Sequence, residues 1–111
     1  MEFKVWELDS GVTVIQPSGK LNMVSAPALR ELINSTVAEG NARIALDLAQ
    51  VDFIDSSGLG ALISGLKTTR QAGGDLRIAS PTEQVQLVLQ LTNMERVLSA
   101  YNNAESAFDN G

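Results

Sequence analysis

The residues best able to do chemistry form one short run, DFIDSSGLG at positions 52–60. The run falls where a buried strand is predicted to end and a helix to begin, the place where open α/β sheets usually carry their sites. A phosphate on Ser56 or Ser57 would lie beside the free N–H groups and the positive dipole end of that helix. Gly58 and Gly60 would leave the backbone accessible to it. The simpler interpretation is that one serine is only an N-cap and that the glycines only permit close packing.

Conventional active sites find little support in the composition. The 111 residues include no histidine and no cysteine, which excludes Ser-His and Cys-His catalysis and zinc sites built on those ligands. Gly60 and Gly65 have the glycine spacing of a phosphate-binding loop, but Leu66-Lys67 follows where that loop needs Lys-Ser/Thr. Asp52 and Asp55 could form a carboxylate pair or hold Mg²⁺, but loop aspartates more often cap turns and helices. We therefore predict no enzymatic activity, no cofactor and no metal.

Charge and length limit the partners. Thirteen acidic residues against eight basic ones give a net charge of −5, which disfavours direct contact with nucleic acid or an anionic membrane. No apolar stretch approaches the roughly 18 residues of a membrane-spanning helix, and no apolar run follows basic residues near the start. We expect one cytoplasmic domain over residues 1–111, without membrane insertion. Its oligomeric state stays open, with a monomer favoured.

Apolar alternation and short apolar runs indicate the strands. Strands are predicted at residues 3–8, 12–16, 44–48 and 76–79, with a short edge strand at residues 97–98. The first two form a hairpin, and Pro17-Ser18-Gly19 ends the second of them. Residues 50–55 are expected to form a loop that leads to the serines.

Apolar residues at spacings of three and four indicate three helices. The first follows Ser25 as N-cap and stops at Gly40, the second follows Ser56-Ser57-Gly58 and runs to about Ala72, and the third begins after Ser80 or Thr82. The residues expected to face the core are Ala28, Leu29, Leu32, Ile33 and Val37 in the first helix, Leu59, Leu62, Ile63 and Leu66 in the second, and Val85, Val88 and Leu91 in the third.

A last helical turn or two is expected at residues 103–108. The resulting order, β-β-α-β-α-β-α-(β)-α, indicates an α/β domain. Its helices pack on a small mixed, mostly parallel sheet with an antiparallel hairpin at one edge.

The run at positions 52–60 resembles the signature of STAS domains of the bacterial anti-sigma factor antagonist family. Further segments resemble the same family: GKLN at 19–22, APAL at 26–29, IALDL at 44–48 and GGDL at 73–76. The DSSGLG element at this place in a β-α-β order is the most specific of them. The resemblance covers about residues 3–100, nearly the whole chain.

The resemblance implies a single STAS domain with helices largely on one face of the sheet and no catalytic activity. It implies that the unphosphorylated protein binds an anti-sigma factor, itself a serine kinase, and so frees a sigma factor. The kinase then phosphorylates the first serine after the motif aspartate, here Ser56, and a serine phosphatase restores the binding form. Residues expected to contact the partner are Asn22, Asp52, Asp55, Ser56, Ser57, Gly58 and Gly60. Asn22 stands where many members carry Asp, which leaves the choice of partner open.

Two other functions stay open at this point. The chain could be a non-switching STAS subunit of a stress-signalling or lipid-transport assembly, although such a subunit needs no phosphorylatable serine. It could instead be a small nucleotide-binding protein that uses the backbone at Gly58 and Gly60 and a metal at Asp52 or Asp55. A nucleotide at 100 times its Kd would then stabilise the fold by about 2.7 kcal/mol.

Overall fold

The computed structural model describes residues 1–108. The strands are β1 Glu2–Glu7, β2 Thr13–Leu21, β3 Arg43–Asp47, β4 Val51–Ile54, β5 Asp75–Ala79 and β6 Ala100–Tyr101. The helices are α1 Ala26–Ala38, α2 Ser56–Gln71 and α3 Glu83–Leu91, followed by a 3₁₀ helix at Met94–Arg96. In the part of the chain that the structure describes, no helix is both long and apolar enough to cross a membrane.

The strands form a mixed sheet in the order β1-β2-β3-β5-β6, with β4 paired to β2. β1 and β2 are antiparallel, and Trp6, the only tryptophan of the chain, lies opposite Val14 in their ladder. The four other strand pairings are parallel. The predicted architecture, a mostly parallel sheet with an antiparallel hairpin at one edge, is confirmed.

One face of the sheet carries the three helices, whose apolar stripes pack against the aliphatic side chains of the strands. Fully buried members of this core include Ile15, Leu29, Ile33, Ile44, Leu46, Leu62 and Ile78. Two residues predicted to face inward, Ala28 and Leu91, are exposed. Leu89 is the buried residue of that part of α3, and residues two apart point to roughly opposite sides of a helix.

The other face of the sheet is covered by the end of the described chain. The residues in this second cluster are Val12, Val14, Ala45, Ala79, Ala104, Ala107 and Phe108. The Phe108 ring centre lies 5.1 Å from the guanidinium carbon of Arg43 and 4.4 Å from that of Arg77. Cation–π contacts therefore hold the last described turn onto β3 and β5.

The second strand is longer than predicted. It continues beyond its pairing with one parallel neighbour and then pairs with another. β2 pairs with β3 over residues 13–15 and with β4 over residues 19–21. Pro17 was predicted to help end the strand, but it lies between these two ladders, at an interruption where a missing N–H is tolerated. Gly19 then adopts a φ of 111°, which favours glycine, and begins the second ladder.

The predicted loop at residues 50–55 contains β4, so that prediction is wrong. β4 has only four residues, of which the two in the middle are exposed, and no alternation marks it. The start of α3 closes its other edge. Thr82, the N-cap of α3, donates its hydroxyl to the Val51 carbonyl at 2.9 Å, and the Ile54 amide donates to the Gln84 side chain at 3.0 Å.

The C-terminal part also differs from the prediction. The sixth strand is β6 and not residues 97–98, because the Val97 and Leu98 amides both bond to the Met94 carbonyl, at 2.9 and 2.8 Å. Residues 103–108 form turns rather than a helix. The Asn103 side chain accepts a 2.8 Å hydrogen bond from the Ser106 amide, as an N-cap residue would, but only turns follow it.

Candidate functional site at the start of α2

Asp55 is the N-cap of α2, and Ser56 is the first residue of the helix. The Asp55 carboxylate accepts a hydrogen bond of 2.9 Å from the Gly58 amide. Aspartate is among the best N-cap residues because its short side chain satisfies an amide that has no partner within the helix. The alternative in which one of the two serines is the N-cap is therefore wrong.

The two serines differ in exposure. Ser56 is exposed, whereas Ser57 is half-buried. Within residues 1–108, neither hydroxyl makes a hydrogen bond to another protein group. Since Asp55 does the capping, the Ser56 hydroxyl is an accessible group that the fold does not use.

Gly58 permits a close approach between α2 and β2. A Cβ at this position would overlap the Leu21 carbonyl oxygen and would lie 2.9 Å from the Ile54 side chain. The same Leu21 carbonyl accepts a hydrogen bond of 3.2 Å from the Asp55 amide. Gly58 is buried, so it shapes the site from beneath and does not offer its backbone to a ligand.

Gly60 has a different neighbour. A Cβ at Gly60 would lie 3.1 Å from a terminal guanidinium nitrogen (Nη2) of Arg30, which reaches across from α1. The two glycines of the motif therefore lie against other protein groups and do not line an open site for a ligand. Among the described residues, no group of three or more Asp, Glu, His or Cys side chains is placed to hold a metal ion.

Asn22 organises the loop beside the site. Its side-chain oxygen accepts hydrogen bonds from the Val24 amide at 3.0 Å and the Ser25 amide at 3.2 Å. Ser25 occupies the predicted N-cap position of α1, but its side chain makes no capping bond. Its hydroxyl instead donates to the Lys20 carbonyl at 2.7 Å and accepts from the Asn22 amide at 3.0 Å. Asn22 therefore has a structural role in this loop, which follows β2 directly.

Asp52 lies on a β-bulge. Val51 is opposite Gly19 and Phe53 is opposite Lys20, which leaves Asp52 as an extra residue in the ladder. The bulge explains why two successive residues of β4, Asp52 and Phe53, are both exposed. The Lys20 ammonium nitrogen lies 5.9 Å from the centre of the Phe53 ring.

The structure brings together the Asn22 loop, Asp55 and Ser56 through one ladder, because Leu21 is opposite Ile54 at the ends of β2 and β4. It also reveals residues that the motif did not indicate. Met23 and Val24 in the Asn22 loop are 72% and 84% exposed. The sequence does carry a signal for them, since two adjacent bulky apolar residues lie just before the N-cap of α1 and outside its helical spacing.

Residues 5–107 match the family model described as the STAS domain. The chain belongs to the STAS domain family. The resemblance carried by the DSSGLG element is thereby confirmed, and the small α/β fold with three helices and a six-stranded mixed sheet is the STAS fold.

Individual relatives of this STAS domain support the same assignment. A Thermotoga maritima protein, provisionally named an anti-sigma factor antagonist, is 30% identical over 105 residues, 94% of this chain and 93% of the relative. The crystal structure of an anti-sigma factor antagonist from that organism, also provisionally named, has a TM-score of 0.89 at 30% identity and covers 97% of this chain and 92% of its own. The anti-sigma-B factor antagonist of Bacillus subtilis is 27% identical over 88 residues, 79% of this chain and 80% of the relative.

A more distant structure shares the fold. The phosphorylated form of the Bacillus cell fate determinant SpoIIAA has a TM-score of 0.74 at 20% identity, with 98% of each chain covered. At this identity the likeness shows that the STAS fold is common to both chains.

Proposed function

We propose that this chain is an anti-sigma factor antagonist switched by phosphorylation. In its unphosphorylated form it binds an anti-sigma factor that is also a serine kinase, and thereby releases a sigma factor. The kinase phosphorylates Ser56, the complex dissociates, and a serine phosphatase restores the binding form. The names of its full-length relatives and the regulatory, non-enzymatic character of the family support this function.

The observation that carries the proposal is the division of labour between Asp55 and Ser56. Asp55 caps α2, so the Ser56 hydroxyl is exposed and has no partner within residues 1–108. A kinase can therefore modify Ser56 without breaking a bond of the fold. Half-buried Ser57 is the less accessible hydroxyl.

The proposed docking face comprises the start of α2, the β4 bulge and the Asn22 loop. Exposed Met23 and Val24 supply apolar contact area on this face, and Asp52 and Asp55 add negative charge to it. Of the residues predicted to contact the partner, Gly58 acts by letting α2 approach β2, because it is buried beneath this face.

Phosphorylation changes the charge of this face and leaves the fold intact. A phosphoserine carries about −1.5 to −2 charge at neutral pH, and the N-terminus of α2 tolerates a negative charge. Asp52 and Asp55 add to the negative charge that a docked partner would meet. A loss of about 2–3 kcal/mol in binding free energy weakens affinity by roughly 30- to 150-fold, which is enough for a switch.

Calorimetric titration against the cognate kinase with ADP tests the proposal. We expect wild type and Ser56→Ala to bind alike, because an unmodified hydroxyl contributes only about 0.5–1.5 kcal/mol. Ser56→Glu and the phosphorylated protein should bind at least tenfold more weakly. Gln71→Glu, which adds one negative charge at the exposed far end of α2, serves as the control for net charge. Equal affinity of all forms would show that Ser56 is no switch and would favour the non-switching assembly subunit.

A further inference from the structure

The guanidinium of Arg30 lies beside Gly60, at the start of the second turn of α2. Its Nη2 atom is 3.1 Å from the point that a Cβ on Gly60 would occupy. Arg30 belongs to α1 and is exposed, and its long side chain reaches from α1 to α2. A larger residue at position 60 would displace it, and the glycine therefore makes room for a cation at this place.

Arg30 has no acidic partner in the described structure. Between Met1 and Phe108, the ion pairs within 4.0 Å are those of Asp75 with Arg70 and Arg77. The Arg30 guanidinium takes part in none of the side-chain hydrogen bonds of the same residues. A guanidinium offers five N–H donors in a planar fork that matches carboxylates and phosphates. Here one nitrogen of that fork lies beside Gly60 of the motif.

Helix geometry places this cation within reach of a modified Ser56. Ser56 and Gly60 are four residues apart, so their Cβ positions lie about 5–6 Å from each other on one face of α2. A side chain at Ser56 and a cation beside Gly60 are therefore neighbours on the surface of α2. A phosphate extends several bonds beyond the serine Cβ, which closes the remaining gap to a flexible arginine.

We propose that Arg30 is the intramolecular counter-charge for a phosphate on Ser56. The inference rests on the proposed function for the presence of that phosphate, and it adds what the phosphate does after transfer. The phosphate pairs with Arg30 of the same chain through charge-assisted hydrogen bonds. Asp52 and Asp55 repel the phosphate, and the Lys20 ammonium lies 5.9 Å from the centre of the Phe53 ring on the β4 side.

This pairing changes the docking face in two ways at once. The phosphate adds negative charge at Ser56, and it also removes the free cation beside Gly60 from any partner that approaches. An acidic group of the partner that faces Arg30 in the unphosphorylated complex then loses its counter-ion. The switch thus acts through loss of an attractive contact as well as through repulsion.

The test uses the full chain with phosphoserine incorporated at position 56 during translation, so that no kinase is needed. The second pKa of the phosphate is followed by ³¹P NMR in about 0.1 M salt, where the screening length is about 10 Å. The Arg30 cation favours the dianion, so the pKa in wild type should be lower than in Arg30→Gln by about half a pH unit or more. Arg30→Lys keeps the charge and should restore part of the difference.

Lys67→Gln is the matched control. It removes one positive charge from the exposed side of α2, and residue 67 lies 11 residues or about 16 Å along the helix from Ser56. We expect Lys67→Gln to leave the phosphate pKa within about 0.1 pH unit of wild type. In wild type, the Arg30 side-chain N–H resonance should also shift over the same pH range as the phosphorus signal.

Equal pKa values in wild type and Arg30→Gln, or equal changes in Arg30→Gln and Lys67→Gln, would overturn the pairing. That failure is separable from failure of the proposed function. If the kinase labels Ser56 but no pairing is measured, only the role of Arg30 is wrong. If the encoded phosphoserine pairs with Arg30 but the kinase labels another residue, only the switch at Ser56 is wrong.

Discussion

Asp55 caps the helix that begins with Ser56, through a hydrogen bond of 2.9 Å from the Gly58 amide to its carboxylate. The capping carboxylate and the hydroxyl proposed to be phosphorylated thus belong to adjacent residues. Because they are different groups, the proposed addition and removal of a phosphate would leave the hydrogen bond at the helix start in place. Stability and signalling can therefore be tested by different substitutions.

Substitution of Asp55 measures how much the N-cap of α2 contributes to the free energy of unfolding. Asp55→Ala should lower the free energy of unfolding by about 1 kcal/mol, within the 0.5–2 kcal/mol range of lost N-caps. Asp55→Asn keeps an acceptor oxygen and should lose much less, which makes it the control for charge. Urea denaturation of the three proteins decides the matter. An equal loss in both variants would mean that the negative charge, and not the hydrogen bond, stabilises the start of α2.

The phosphorylation site is predicted to be single. Incubation with the cognate kinase and ATP should add one phosphate, at Ser56 and not at Ser57, because only Ser56 is exposed. Ser56→Ala should abolish labelling and change the free energy of unfolding by less than about 0.5 kcal/mol. Ser57→Ala is the matched control and should still be labelled. Fragmentation mass spectrometry that located the phosphate on Ser57, or on Thr68 or Thr69, would refute the assignment.

The two motif glycines should respond oppositely to a methyl group. Gly58→Ala places a Cβ against the Leu21 carbonyl, a backbone atom that cannot rotate away, and should cost about 1–3 kcal/mol. Gly60→Ala meets only the flexible end of Arg30 and gains helix propensity, so it should stabilise by up to about 1 kcal/mol. Thermal unfolding followed by circular dichroism compares them. Similar transitions for both variants would contradict the close approach between α2 and β2.

Two substitutions at Asn22 distinguish its structural role in the loop from its effect on the choice of partner. Asn22→Ala removes the acceptor for the Val24 and Ser25 amides and should cost about 1 kcal/mol. Asn22→Asp keeps that acceptor, so the free energy of unfolding should change by less than about 0.5 kcal/mol. Any change in its affinity for the kinase then reports on the partner. Affinity rises if the partner presents a base there and falls if the interface is adapted to asparagine.

Elements with strong local signals could be predicted from the sequence. α2 has an N-cap, a helical apolar stripe and a closing glycine pair. Its predicted end at about Ala72 agrees with the observed end at Gln71, whereas its first residue, Ser56, lies ahead of the predicted start. β4 has none of these signals. Its four residues form a strand only because the far half of β2 is available to pair with them, and that relationship spans about 30 residues of sequence.

The position of the candidate site along the chain could be predicted from the sequence, but the arrangement of its residues in space could not. The motif located Asp55 and Ser56, because cap residues follow local backbone rules. It did not indicate that Asp55 rather than a serine caps the helix, since aspartate and serine are both good caps. Arg30 could not be found from the motif at all, because its position beside Gly60 depends on how α1 packs against α2.

The position of Trp6 gives the domain a built-in optical reporter. Trp6 is opposite Val14 on the edge hairpin, and Val14 is seven residues, or about 23 Å along β2, from Leu21. Its fluorescence therefore follows the packing of the hairpin edge while events at the start of α2 take place at the opposite end of the strand. The same protein can therefore yield an unfolding curve from tryptophan emission and a partner affinity from calorimetry. The two measurements report on separate parts of the domain.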